Sequence, residues 1–410
     1  MAKNVDILVV ALGGYGLVYL EGLLDRKMDP DVTIVGGVDP EPERCTRLTE
    51  LQALGVPIFR SLEEFYGFHK ADLAIISSPI QLHCPQTCLC LAHGSHVLCE
   101  KPLGATVQEG WEMLRARDVA GRFVSIGYQW SFTSTIQELK QDIRKGEFGA
   151  PVRLKTIALW PRDESYYRRN DWAGRQRDNQ GRWVLDSPAN NALAHYLHNM
   201  LYLLGERKDG SATPAWVIAE LYRANDIENF DTFAARIHTD QGVEILFYGS
   251  HAVEEEVGPL ISYEFEHATV TYAGWHSEFV ARWRDGRQKN YGAPDAHYLD
   301  KMWQATASVR TGERPLCGIE AAMAHTVCIN GMHESVPEVT PFPAEIVLVK
   351  GEPGKRLTYV PAVNQGLLQA YGRNALPSEI GVPWAVRGKE VRLIGYRSFP
   401  QADAQGSASA

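Results

Sequence analysis

Three stretches of this 410-residue sequence carry side chains whose types and spacing can do chemistry. The first is Glu100-Lys101-Pro102, a lysine leaving the apolar run His96 to Cys99 and followed at once by proline. Proline fixes its own φ and restricts the residue before it, so Lys101 departs in a defined direction, where an ammonium can stabilise negative charge on a substrate oxygen. The second is Asn190 to Gly205. Helical spacing predicts Asn191, His195, His198 and Tyr202 on one face, with Leu193, Leu197, Leu201 and Leu204 largely on another. An imidazole there can take a proton, whereas the amide of Asn191 can only orient a hydroxyl. The third, Trp160 to Trp183, combines Trp160, Tyr166, Tyr167, Trp172 and Trp183 as apolar platforms with Arg162, Asp163, Arg169, Asn170 and Arg175 as hydrogen-bonding groups, a mixture suited to a sugar.

The elements that must position these groups begin with Val5 to Ala11, a near-continuous apolar run that reads as a strand buried on both faces of a parallel sheet. It ends in Ala11-Leu12-Gly13-Gly14-Tyr15-Gly16, a G-x-G-x-x-G turn with alanine in first place, and Leu17 to Leu24 reads as the helix after it. Bare backbone at Gly13 can approach a pyrophosphate, a small residue at Gly16 lets helix and strand pack, and the helix N-terminus supplies positive potential. A second strand, Val32 to Val38, ends in Asp39, where a carboxylate accepts both ribose hydroxyls of NAD and repels a 2′-phosphate. A helix (Glu41 to Gly55), short elements and a strand (Leu73 to Ile76) lead to Ser77-Ser78-Pro79, which should line the cofactor crevice. Strand and helix alternate through Gly127, so the first part is a doubly wound α/β fold of about six strands. Beyond it, alternating runs predict a mostly antiparallel open sheet with helices on one side, its other face left for substrate or a second subunit.

Taken together, the glycine turn, Val38-Asp39-Pro40, Ser78-Pro79 with His83 four residues on, His96 to Leu103 and Gly127-Tyr128 resemble the Gfo/Idh/MocA family, relatives of glucose-fructose oxidoreductase and inositol dehydrogenase. The likeness runs from about Val5 to Ser335. It implies NAD held by Gly13, Gly14, Tyr15, Gly16, Asp39, Ser77, Ser78, Pro79, His83, Glu100, Lys101 and Gln129. It also implies a D-x-x-x-H helix facing the nicotinamide beside the lysine. Here the histidine is His195, the aspartate position is Asn191, and His198 stands where a second aspartate often occurs. That departure leaves His195 as base with Lys101 as electrostatic partner. Substrate contacts are expected from Trp160, Arg162, Tyr167, Arg169, Asn170, Trp172, Asn191, His195 and His198. The family's use of its open sheet implies a homodimer or homotetramer.

The leading expectation is an NAD-dependent dehydrogenase of a sugar or polyol. The alternatives are a redox-neutral glycosidase that oxidises its sugar transiently and a non-catalytic dinucleotide-binding protein. A net charge of -9 argues against nucleic acid and anionic membrane as partners. Seven cysteines at spacings that fit no zinc knuckle or C-x-x-C pair read as buried thiols of a reducing, cytoplasmic compartment, with no metal expected. The expected organisation is an NAD-binding domain over 1–130, a substrate and oligomerisation domain over 131–339, an extension over 340–400 packed on it, containing a strand at Ile346 to Val349, and a disordered tail over 401–410.

Overall fold

The computed structural model describes residues 3–25 and 31–401, which form two compact units. The first comprises residues up to Gly104, Glu109–Thr133 and His297–Met323; the second comprises Ala105–Gln108, Ser134–Ala296 and the chain from Ala324 onward. The return of 297–323 to the first unit is absent from the continuous division expected above. The expected tail, apart from Gln401, lies outside the described residues. Among the described residues no helix is long and apolar enough to cross a membrane.

Unit one is built on β1 (Val5–Val10), β2 (Val32–Val38), β3 (Ile58–Phe59), β4 (Leu73–Ile76), β5 (His96–Cys99) and β6 (Val124–Ile126). All pairings are parallel, in the order β3-β2-β1-β4-β5-β6. The apolar runs are buried because α1 (Gly16–Leu24), α2 (Leu48–Ala53), α3 (Leu62–Phe68), α4 (Ile80–Ala92) and α5 (Val107–Ala120) connect the strands. Strand order reverses between β1 and β4, which sets the ligand crevice at their carboxyl ends. The helix expected over Glu41 to Gly55 is a 3-10 turn (Pro42–Arg44) followed by α2. Extended Cys45 divides the two as its side chain enters the core.

The glycine turn explains its own composition. A Cβ on Gly16 would stand 1.9 Å from the Ala11 carbonyl oxygen, so helix and strand can meet only at glycine. Ala11 itself has φ +66°, a left-handed conformation. That costs an L-residue about 1–2 kcal/mol, more than glycine's entropic penalty of about 0.5–1 kcal/mol. Ala11→Gly is therefore expected to raise stability by about 0.5 kcal/mol or more, read as a higher urea midpoint at unchanged m-value.

Unit two carries β7 (Pro151–Leu159), β8 (Pro214–Arg223), β9 (Thr232–Thr239), β10 (Glu244–Ser250), β11 (Val257–Phe265), β12 (Ala268–Ala273), β13 (Phe279–Trp283), β14 (Gln288–Gly292) and β15 (Thr340–Pro341). Their order is β14-β13-β12-β11-β7-β10-β9-β8-β15, antiparallel except at β7/β10 and β8/β15. The short β13 and the short, largely polar β14 escaped the sequence reading. Helices α6 (Ser134–Arg144), α7 (Glu164–Tyr167) and α8 (Ala194–Leu203) follow in chain order, and α8 lies on β7, with Thr156 donating to the Met200 sulfur at 3.5 Å. Later come α9 (Asp300–Thr311) and α10 (Ile319–Ser335); α9 packs under β1 through Met302 and Ala305.

The opposite face of the large sheet is not open, as had been expected, over β7 to β10. The chain's own extension covers it: Val360, Val363, Leu367 and Ala370, with Leu376 and Trp384, pack on Ile157, Leu159, Ile218, Tyr222, Leu246 and Tyr248. The first four begin or line α11 (Pro361–Arg373). Polar pins lock this layer. Lys155 donates to Asn374 Oδ1 at 2.6 Å, Tyr248 to the Ala375 carbonyl at 2.9 Å, and Arg236 pairs with Glu379. The strand expected at Ile346 to Val349 is β16 (Leu348–Lys350), which forms an exposed hairpin with β17 (Leu357–Tyr359) after a 3-10 turn.

Candidate functional site

In unit one the glycine turn, Asp39, Ser77, Ser78, Pro79, Glu100 and Lys101, expected at the cofactor crevice, stand at carboxyl ends of strands, whereas His83 lies on α4. At the turn after β1, a Cβ on Gly13 or Gly14 would meet nothing within 4 Å, so the backbone before α1 is open to a close ligand. Asp39, after β2, accepts from the backbone N–H of Leu12 at 2.8 Å and of Glu41 at 2.9 Å. Each carboxylate oxygen keeps a second lone pair, so the aspartate is anchored to the glycine turn and can still receive a ribose hydroxyl. Ser77, after β4, donates to the Val10 and Ala11 carbonyls and ties β4 to the same turn. Glycine turn and Asp39 thus fit a dinucleotide.

Three residues expected to touch cofactor, His83, Ser78 and Glu100, are spent on the protein. His83 on α4 is 1% exposed, with Nδ1 2.7 Å from the Pro102 carbonyl and Nε2 2.9 Å from the Ser78 carbonyl. Neither carbonyl donates, so both bonds form together only in the doubly protonated ring. Burial opposes that charge and lowers the His83 pKa, although both carbonyls and Glu100 favour it. His83 is a clamp between the loops after β4 and β5, while Ser78 bonds Gln86 at 2.6 Å and Pro79 opens α4.

Glu100 is 6% exposed and accepts from the Tyr19 hydroxyl at 2.5 Å, from the Lys101 backbone N–H at 3.1 Å and from Lys301. Lys301, on α9, is wholly buried and also donates to the Tyr15 hydroxyl at 3.1 Å, which in turn donates to Gln129 Oε1 at 3.4 Å. Burial alone would raise the Glu100 pKa, but Lys301, Tyr19 and Lys101 outweigh it and hold it below 4.5. Burial alone would lower that of Lys301, but Glu100 and Tyr15 keep it above 10.5. A Cβ on Gly127 would lie 2.8 Å from the Glu100 carboxylate, so glycine makes room for the pair. Lys101, half-buried after β5, is held through its backbone by this network, and its bond to Pro102 is cis. Sequence reasoning missed Lys301. Its signal was a cation sharing a helical face with Ala305 and Ser308, which are also buried.

In unit two the helix expected from Asn190 begins only at Ala194; residues 188–193 are turns after Pro188, so Asn191 lies before α8 rather than on its face. From 193 to 205 every residue is buried except His195, which stands half-buried in the first turn of α8. His198 is 1% exposed and stacks on Tyr202 at 5.6 Å; burial, then His325 and Lys140, push its pKa well down. It is therefore a neutral core imidazole.

Asn191 donates from Nδ2 to Asp186 Oδ1 at 2.8 Å. Because a carboxylate only accepts, this bond fixes the amide's orientation and turns Oδ1 away from Asp186. Asp186, 2% exposed, is itself set by the Gly174 N–H at 2.7 Å and by Arg169 at 3.6 Å. Sequence reasoning missed Asp186, although an acid between Val184-Leu185 and Ser187-Pro188 stands out in an apolar stretch.

The aromatic segment is largely engaged with itself. Arg169 lies over Tyr166 at 3.8 Å and Trp172 at 5.4 Å, and Arg162 over Tyr166 at 5.2 Å. Asn170 accepts from the Trp172 N–H at 3.2 Å, and half-buried Tyr167 belongs to α7. Trp160 is 4% exposed, stacked on Trp275 at 4.7 Å, and Trp183 packs on Phe399. These two indoles are packing groups rather than open platforms.

Residues 5–128 match the family described as oxidoreductase family, NAD-binding Rossmann fold, GFO_IDH_MocA. The chain is 26% identical over 258 residues to scyllo-inositol 2-dehydrogenase (NADP(+)) IolW of Bacillus subtilis, covering 61% of this chain and 65% of that one. It is also 26% identical to inositol 2-dehydrogenase of Rubrobacter xylanophilus, over 38% of this chain and 44% of that one. Among solved structures, the WlbA dehydrogenase of Bordetella pertussis, in complex with NADH and UDP-GlcNAcA, superposes with TM-score 0.67 at 20% identity, covering 82% of this chain and 97% of that one. Aldose-aldose oxidoreductase of Caulobacter crescentus gives TM-score 0.68 at 18% identity, over 82% and 98%. These likenesses establish the fold.

Proposed function

We propose, from the premise that residues 5–128 are an NAD-binding Rossmann domain of the Gfo/Idh/MocA oxidoreductase family and place the chain in it, that this protein is an NAD-dependent dehydrogenase of a sugar or polyol. The observation that carries this reading is the convergence, at the ends of β1, β2 and β5, of an open glycine turn, an anchored Asp39 and Lys101 backed by a buried ion pair. The glycine turn and Asp39 hold the dinucleotide, whose nicotinamide, when bound, exchanges a hydride with the substrate carbon. His195 takes the proton of the secondary hydroxyl, and the Lys101 ammonium stabilises the oxygen as negative charge builds on it. Asn191, its amide turned by Asp186, offers Oδ1 to a substrate hydroxyl, and Arg169 donates beside it.

Net oxidation is preferred to redox-neutral hydrolysis because the two inositol relatives named above are dehydrogenases. Incubation with NAD and a panel of inositols, sugars and glycosides, following NADH absorbance and released aglycone together, tests the reading; aglycone release without NADH would replace it. Asp39 favours NAD over NADP. Asp39→Ser should narrow that preference roughly tenfold or more by removing the carboxylate that repels a 2′-phosphate, and tighter binding of NADP than NAD by the unaltered protein would sink the assignment. A homodimer or homotetramer would have to pair outside the face covered by the extension, with β12 to β14 lying beyond that cluster; light scattering decides. Seven cysteines, none paired in a disulfide among the described residues, fit a reducing, cytoplasmic compartment.

Asp186 is cast here as a positioning residue, and exchange of partners tests it. Asp186→Asn should lower kcat/KM about ten- to a hundredfold, because the amide of Asn191 is then free to turn. The double variant Asp186→Asn/Asn191→Asp rebuilds the same bond with donor and acceptor exchanged, and should recover most of the loss. No recovery would reduce Asp186 to a folding role.

A further inference from the structure

On α4, Cys84 and Cys88 stand one helical turn apart, and Glu112 of α5 reaches the same point, so that the two sulfurs and a carboxylate oxygen all lie within 4.8 Å of one another. We propose that Cys84, Cys88 and Glu112 form a binding site for a thiophilic divalent cation of the zinc class, separate from the cofactor and substrate residues.

The spacing alone did not show it, because Cys-x-x-x-Cys lacks the third ligand, which only the packing of α5 beside α4 brings in. Residues at i and i+4 of a helix project from one face, so both thiols point the same way. Two thiolates and a carboxylate are ligands of choice for zinc, with Zn–S near ~2.3 Å and Zn–O near ~2.0–2.2 Å. A tetrahedral ion with those bonds spaces its ligand atoms roughly 3.5 Å apart, which rotation of the Glu112 side chain can reach. The burial gradient provides both a floor and an entry path: Cys84 is buried, Cys88 half-buried and Glu112 exposed. Three protein ligands leave the fourth position to water or a small anion.

The local electrostatics agree. Arg115 adds positive charge beside the Cys88 sulfur. The Cys84 thiol donates to the Glu109 carbonyl at 3.5 Å, which holds its sulfur toward α5. A bound cation displaces the thiol protons. Two thiolates and a carboxylate around a divalent ion leave one net negative charge, which Arg115 faces. The other cysteines, Cys45, Cys90, Cys99, Cys317 and Cys328, are buried and offer no competing surface site.

The test uses reduced, chelator-stripped full-length protein titrated with Co²⁺. One equivalent should produce thiolate-to-cobalt charge-transfer absorbance that Zn²⁺ bleaches. Cys84→Ser and Cys88→Ser should abolish the band, and Glu112→Gln should weaken Co²⁺ affinity roughly tenfold or more, with circular dichroism confirming that each variant is folded. Because Cys88 and Glu112 are not buried, those two variants keep the experiment decisive if Cys84→Ser misfolds. Absence of the band in the unaltered protein, its persistence in Cys88→Ser, or unchanged affinity in Glu112→Gln would each overturn the site.

Discussion

Lys101→Met should lower kcat about a thousandfold while leaving NAD affinity nearly unchanged. Methionine matches the length and apolar stem of lysine, so the variant removes the charge and little else. The path of the chain at this residue is set by Pro102 and by the bond from the Lys101 N–H to Glu100, neither of which needs the side chain. NAD is held in this reading by the glycine turn and Asp39, which anchor each other through the Leu12 N–H. The loss should therefore fall on the chemical step, as expected when one preorganised charge is withdrawn from a site where negative charge develops on oxygen. His195→Ala should be comparably damaging, and the double variant little worse than either, since groups that serve one proton and one oxygen act as a unit. Single-turnover kinetics and cofactor titration separate the two effects. Near-normal turnover in Lys101→Met would make the motif structural and place the chemistry elsewhere.

Lys301→Met should cost about 3–5 kcal/mol of stability, because it leaves the Glu100 carboxylate buried without its cation. Tyr19 and the Lys101 N–H still donate to that carboxylate, but neither carries the neutralising charge. Glu100→Gln combined with Lys301→Met removes both charges and should recover most of the loss, since a neutral amide beside an apolar chain has little desolvation to repay. Denaturant midpoints measure both variants; a Lys301→Met protein as stable as the parent would mean that the pair contributes nothing net. The pH dependence follows from the shifts. The Glu100 pKa is depressed, so its contribution is present above 4.5 and is lost as pH falls through the lower folded value. The Lys301 pKa is raised, so its contribution is present below 10.5 and is lost as pH rises through the higher folded value. Between these limits the parent pair's stabilisation should be flat, whereas the Lys301→Met deficit should shrink as pH falls, because burial raises the pKa of the unpaired Glu100 and a protonated carboxyl carries no charge to bury.

The sequence by itself determined the strand architecture of unit one and the places of the glycine turn, Asp39 and Lys101 at its strand ends. Near-continuous apolar runs can be satisfied only by a parallel sheet covered on both faces, and the glycine turn and Asp39 lie at fixed distances along the chain from the strands that carry them. Lys101 was legible for the same reason, because strand, lysine and proline are contiguous. What tertiary structure decided is every partner distant in sequence. Lys301 reaches Glu100 across 201 residues, and nothing local to α9 names its mate. Asp186 settles how Asn191 presents its amide, and the start of α8 at Ala194 depends on the turns after Pro188 rather than on the heptad-like spacing that suggested an earlier start. The covered sheet face has the same origin. Alternation along a strand reports that each face has a different environment, but not whether a second subunit or the chain's own residues 360–384 supply it, because burial depends on what packs there and a strand's pattern carries no address.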